Sequence, residues 1–246
     1  MKLPKRINPD NLVETIVEIR MNPLCPPELW AGMVSLRLQD LGYKYIPAPQ
    51  LNVKFDKNGR MALSVERGKD NVTYGIFIKD NIRFVMQGNS LSFNCNIGHY
   101  VGWGVYLQEI KDVISNVQIC NITNSFNRVQ IRYISEYPNI DIIDYINGTI
   151  NIGTSIGVFN SQEIKLNRMV EDMKVYVSLI NKMKRKNING EERVSSLFDV
   201  NVYENFQDSS SIDFVIRVLD KIHRVEKETF FGLLKESFIQ SLNPEY

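Results

Sequence analysis

Apolar and polar residues alternate along residues 13–21, and a similar alternation returns at 128–134, 173–180 and 194–203. A period of two is the signature of extended chain, because successive side chains of a strand point to opposite faces. Each segment is therefore expected to be a strand with one apolar face: Val13, Val17, Ile19 and Met21 in the first. Val175, Val177 and Leu179, then Val194, Phe198, Val200 and Val202, form the arms of a long hairpin turning at 186–190.

Other segments carry the helical period. Trp103, Tyr106, Leu107, Ile110, Val113, Ile114 and Val117 recur at steps of three and four, predicting a helix over about 100–116. Gly102 and Gly104 weaken its first turn and would let another backbone come close. After Pro26-Pro27, Trp30, Met33, Val34, Leu38 and Leu41 form a second stripe that Gly42 stops. A third begins after Ser209-Ser-Ser211, runs through Ile212, Val215, Ile216, Leu219, Ile222, Phe230, Leu233 and Leu234, and is expected to continue towards Gln240. Between the first two helices a hairpin around Asn58-Gly59 is best registered with Phe55 opposite Met61, Val53 opposite Leu63 and Leu51 opposite Val65, which leaves one face wholly apolar. A meander follows at 74–78, 82–86 and 91–93, and a short helical turn is expected near 141–146.

Strand, helix, hairpins and long helix thus occur twice, and the opening strands share wording: Val17-Glu-Ile-Arg-Met21 against Val129-Gln-Ile-Arg-Tyr133. The expected class is α+β, with antiparallel sheets packed by long amphipathic helices. Its halves, 1–120 and 121–246, would be pseudo-duplicated within one continuous body, since no low-complexity linker divides them.

Twenty-nine basic and 28 acidic residues leave a formal charge of +1, which advertises neither a nucleic acid nor an acidic membrane. The basic start lacks an apolar stretch behind it, no apolar run is long enough to span a bilayer, and Cys25, Cys95 and Cys120 share no paired spacing. A cytoplasmic protein with reduced thiols is the expectation. With His99 and His223 the only histidines, no metal centre is expected, and no cofactor motif is legible.

The last helix holds the most informative residues. About 40° from Leu219 lies His223, and about 20° to the other side lies Glu226, so both fall in the middle of the apolar face. They read either as a general acid/base pair, Glu226 orienting the imidazole, or as a buried polar pair that fixes how the helix docks. The second reading is the simpler one, because neither a nucleophile nor a third group is visible beside them. Asp220 falls off the stripe and is expected in solvent. Arg20 and Arg132 occupy matching places in the opening strands and could grip a carboxylate or phosphate, or pair with Glu18, Glu136 or Glu226. Trp103 and Trp30 read as core aromatics or as stacking platforms for a ligand. The basic run 182–186 is offset by Glu191-Glu192 and suits a solvated loop better than a nucleic-acid arm.

Asn8-Pro-x3-Val-Glu-x2-Val-Glu-Ile-Arg, Trp103-x2-Tyr106-x3-Ile110, Val129-x-Ile-Arg-Tyr-Ile134 and Leu219-Asp-x2-His-x6-Phe230 together resemble a sporadically distributed, largely uncharacterised bacterial family. The resemblance spans most of the chain and implies an α+β protein whose patchy occurrence is like that of mobile, defence or toxin–immunity genes. Trp103, Arg132, Tyr133 and His223 are the residues matching its pattern; the ending Ser241-Leu-Asn-Pro-Glu-Tyr246 is shorter than the family's tail. The leading expectation is a non-enzymatic binding protein, an accessory or immunity component that meets another protein or its own copy. Alternatives are a small-molecule or nucleotide-binding enzyme using His223 and Glu226 with Arg132, and nucleic-acid binding through 182–186.

Overall fold

The structure is a computed structural model that describes residues 3–8, 10–46, 52–55, 61–64, 73–95, 100–148, 162–186 and 192–246, with backbone alone for 52–55, 61–64 and 185–186. In chain order the first half contains β1 (Leu12–Pro23), α1 (Trp30–Asp40), β2 (Lys44–Ile46), β3 (Asn52–Phe55), β4 (Met61–Ser64), β5 (Thr73–Lys79), β6 (Ile82–Gln87), β7 (Ser90–Cys95) and α2 (Trp103–Ile119). The second contains β8 (Thr123–Pro138), β9 (Gln162–Val170), β10 (Met173–Lys186), β11 (Glu192–Ser209), α3 (Ile212–Leu233) and α4 (Glu236–Ser241). Short 3-10 turns sit at Pro27–Leu29 and Ile142–Tyr145.

The fold is α+β, as the alternating and helical periods predict. A nine-stranded sheet runs in the order β2-β5-β6-β7-β1-β8-β11-β10-β9, with every neighbouring pair antiparallel. At its centre β1 and β8 pair with Val17 opposite Ile131, Glu18 opposite Gln130 and Ile19 opposite Val129. Val17, Ile19, Met21, Val129 and Ile131 all point to the covered face and are fully buried. The helices lie over that face: α1 on β5, α3 on β8 and β11, and α2 between α1 and α3. Gly75 in β5 permits the approach of α1, since a Cβ there would stand 3.0 Å from that of Ala31.

Backbone register in the separate β3–β4 hairpin sets Val53 opposite Leu63 and Phe55 opposite Met61, as the apolar pattern requires. The Leu51–Val65 pair, the turn at Asn58-Gly59 and residues 187–190 of the second turn lie outside the described residues.

Some expectations change. Helix α2 begins at Trp103, not Tyr100, because Gly102 adopts φ +86°, ψ 149°, a conformation that stops the helix from starting earlier. Among the described residues nothing approaches within 4 Å of where a Cβ would sit on Gly102 or Gly104, so none of their backbone exploits the small size of these glycines. Gly102→Ala is expected to cost about 1–3 kcal/mol by urea denaturation, from backbone strain. Gly104→Ala, inside the helix, is expected to gain up to about 1 kcal/mol in the same measurement. Along α1, Ala31 is buried while the predicted Met33 lies exposed at the edge of the stripe. The edge strands β2 and β9 had no alternating signal, since most of their side chains face solvent on both sides.

The last helix also stops short of Gln240. Leu234 turns to φ −92°, ψ 142° and forms a β-bridge with Ile146. The Asn147 side-chain amide donates to the carbonyl oxygens of Gly232 and Leu234, and the Lys235 N–H donates to that of Tyr145. The segment after the second 3-10 turn thus takes over the hydrogen bonds that would have continued the helix, and α4 starts afresh.

Candidate functional site

Ser211 caps α3 by accepting a hydrogen bond from the Phe214 N–H, which sets where the helix starts and hence which residues face the sheet. Val215, Val218, Leu219, Ile222 and Val225 fill that face, and Glu226 sits among them with 3% of its surface exposed. Ahead of β1, Lys5, Arg6 and Asn8 strap the chain to the end of the fold. Arg6 bridges Glu245, and the Asn8 N–H donates to the carbonyl oxygen of Leu242. This strap, the residues before α2, strand β8 and the second half of α3 enclose a cavity of about 240 Å³.

Four sequence candidates meet there: His223, Glu226, Trp103 and Tyr133 all line the cavity. The rings of Trp103 and His223 stack with centroids 4.2 Å apart and planes at 22°, and Tyr133 lies 5.8 Å from the imidazole. Trp103 Nε1 donates to Asp220 Oδ1 at 2.8 Å, so Asp220, though exposed, holds the indole in place. The Tyr100 and Tyr133 hydroxyls share a hydrogen bond of 2.7 Å. Leu12, Val101, Phe230 and Phe231 supply apolar wall.

Glu226 and His223 do not hydrogen-bond to each other. Among the described residues no hydrogen bond reaches the Glu226 carboxyl, and His223 Nδ1 is sealed without a partner. Burial pushes Glu226 up to about 8, against a smaller downward pull from Lys227. It therefore carries its proton at neutral pH and can donate a hydrogen bond. Burial drives His223 down to about 4, with Lys227 acting in the same direction and Asp220 against it, so the imidazole is neutral. Asp10 is raised by burial, which its bond from the Leu12 N–H and the nearby Arg6 offset in part. Lys227 is lowered by burial and partly restored by Glu226. The arrangement can solvate a small polar molecule with neutral donors on an aromatic and apolar floor.

Arg20 and Arg132 do not join this site. The period of two that aims Tyr133 into the cavity aims Arg132 to the face of the sheet opposite the helices. There Arg132 forms a forked pair with Asp199, Nε at 3.0 Å from Oδ1 and Nη2 at 2.6 Å from Oδ2. Arg20 pairs with Glu18 at 3.2 Å. A pocket shared by Arg132 with His223 and Glu226 is thus replaced by two groups on opposite sides of β8. In the basic run, Lys182 is ion-paired with Asp141. Sequence reading missed Asp10, Tyr100 and Lys227. Only Lys227, next to Glu226 on the same helix, carried a signal that could have pointed to the cavity.

Among the described residues, no cluster of three or more His, Cys, Asp or Glu could hold a metal ion, and no helix is long and apolar enough to cross a membrane. No protein-family model and no curated protein matches the chain. Fold and site together define an antiparallel α+β sheet with helices packed over one face and a cavity walled by α3, β8 and the strap.

Proposed function

We propose that this is a small-molecule-binding protein whose site is the cavity between α3, β8 and the strap. The observation that carries this reading is Glu226: a carboxyl buried on the apolar face of α3, lining a cavity, and given no hydrogen bond by any of the described residues. A group kept only to dock the helix would be expected to have a partner, because burying it alone costs stability. An incoming ligand supplies that partner. In a ligand screen, bound compounds are expected to raise the melting temperature, perturb the Trp103 fluorescence and move the Trp103 and Tyr133 resonances while leaving those of Asp199 in place. Asp199→Ala, on the face opposite the helices, is expected to bind such a ligand unchanged. Compounds that bind yet move that opposite face first would overturn the assignment of the cavity.

A duplicated ancestry for the halves is a second proposal. The strands beside the central pair follow the same order outward in each half, β7-β6-β5 and β11-β10-β9. The pairing of Val17 with Ile131 and Ile19 with Val129 fits a twofold axis through Glu18 and Gln130 that exchanges the two echoing segments. At the same sequence separation, Ile114 in α2 corresponds to Glu226 in α3. On this reading the carboxyl replaces an apolar core residue, which favours a role in the cavity over one in packing. Membership of the sporadic bacterial family is proposed on the same footing, supported by the placing of Trp103, Tyr133 and His223 around the cavity. A role beside a partner protein is a separate proposal: unbiased pull-down from cells is expected to return a stable complex, and a chain that stays alone would overturn it.

A further inference from the structure

The chemistry of the cavity narrows the class of ligand. Lys5, Arg6 and Lys227 line it against Asp10 and Glu226, so the lining is net positive whichever way Glu226 titrates. Lys227 is half-buried and, among the described residues, forms no ion pair. Its neighbour Glu226 is almost fully buried and equally without a partner. A half-buried ammonium lacking a counter-ion and an unpaired carboxyl, on consecutive residues of one helix and lining one cavity, complement a single group that accepts from both. A carboxylate does so: one oxygen takes the N–H of Lys227, the other the O–H of Glu226, and the ligand's charge neutralises the lysine. An amine would enter against the three cations and leave Lys227 unpaired.

We propose that the cavity binds a small organic monocarboxylate with an apolar, ring-sized body, its carboxylate between Lys227 and Glu226 and its body among Leu12, Trp103 and Phe230. This rests on the small-molecule reading above and names the ligand class.

The test uses probes of one shape and three charges, benzoate, benzamide and benzylamine, with 2-naphthoate and 2-naphthamide as a larger pair. Binding is measured on the full chain by calorimetry and by resonance shifts at Trp103. The carboxylates are expected to bind at least about tenfold more tightly than their amides, with the amine weakest. Lys227→Met is expected to lose that preference, and Lys227→Arg to recover most of it, which separates loss of charge from loss of fold. Equal or tighter binding of the amide or amine overturns the carboxylate assignment while leaving the small-molecule reading intact. Carboxylate binding unchanged in Lys227→Met overturns it too. Failure of every probe to move the cavity resonances at about 10 mM counts against both readings.

Discussion

Glu226→Gln is expected to stabilise the protein by about 3 kcal/mol at pH 7, and to have almost no such effect at pH 4. The reason is linkage. Glu226 ionises near 4.5 in the unfolded chain and at about 8 in the folded one. Below pH 4.5 both states hold the proton and the carboxyl costs nothing beyond its burial. As pH rises from 4.5 towards 8 the unfolded state alone releases it, so stability falls by about 1.4 kcal/mol per unit until the folded protein also ionises. Glutamine has the same shape, remains neutral and retains an N–H donor, so it removes the pH dependence without emptying the site. Urea denaturation of both proteins at pH 4, 5.5, 7 and 8 measures the difference. A difference that stays constant across this range would mean that Glu226 is ionised in the folded protein.

His223→Phe is expected to act on the opposite limb. The imidazole titrates near 6.5 when unfolded and at about 4 when folded, so its stabilising share is complete above 6.5 and is lost as pH falls through 4. The wild type should therefore lose about 2 kcal/mol between pH 7 and pH 5 and roughly 3 by pH 4 from this residue. Phenylalanine preserves the stack on Trp103, whose centroid lies 4.2 Å away, and removes the sealed, unpartnered Nδ1. The variant's acid limb should be flatter by those amounts in denaturation curves. An unchanged acid limb would show that the folded imidazole protonates as readily as a free one. The two groups oppose each other, so wild-type stability from them peaks between pH 5 and 6. Glu226→Gln moves that optimum upward and His223→Phe moves it downward.

Glu226→Gln improves stability at neutral pH and His223→Phe in acid, because burial makes the charged form of each residue costly in that range. Among the described residues neither has a hydrogen-bond partner, although Tyr100 and Tyr133 beside them pair their hydroxyls with each other. This combination of unspent donors, aromatic walls and space is what separates the cavity from the rest of the core. The Arg132–Asp199 pair on the face opposite the helices is a useful contrast: its partners are already satisfied, and it holds nothing in reserve.

Much of the site was legible because helix periodicity is local. The spacing of Leu219, His223 and Glu226 alone places both polar residues on the buried face of α3. The parity of β8 likewise separates Arg132 from Tyr133, since neighbours in a strand cannot share a face. The strap was not legible. Its hydrogen bonds to Leu242 and Glu245 join opposite ends of the sequence, and no local pattern encodes them. Nor was the end of α3, where the apolar stripe runs on through Leu234 but a bridge to Ile146 overrides it.

By itself, then, the sequence determined the inner strands, the three long helices and the face each of these buries, because those follow from periods of a few residues and from caps such as Ser211. Tertiary structure alone decided the nine-strand order, the stopping of α3 and the meeting of Lys5, Arg6, Asp10, Tyr100, Tyr133 and Lys227 around Glu226. Those depend on contacts between segments far apart in the chain, whose energies appear only once the sheet has set the distances between them.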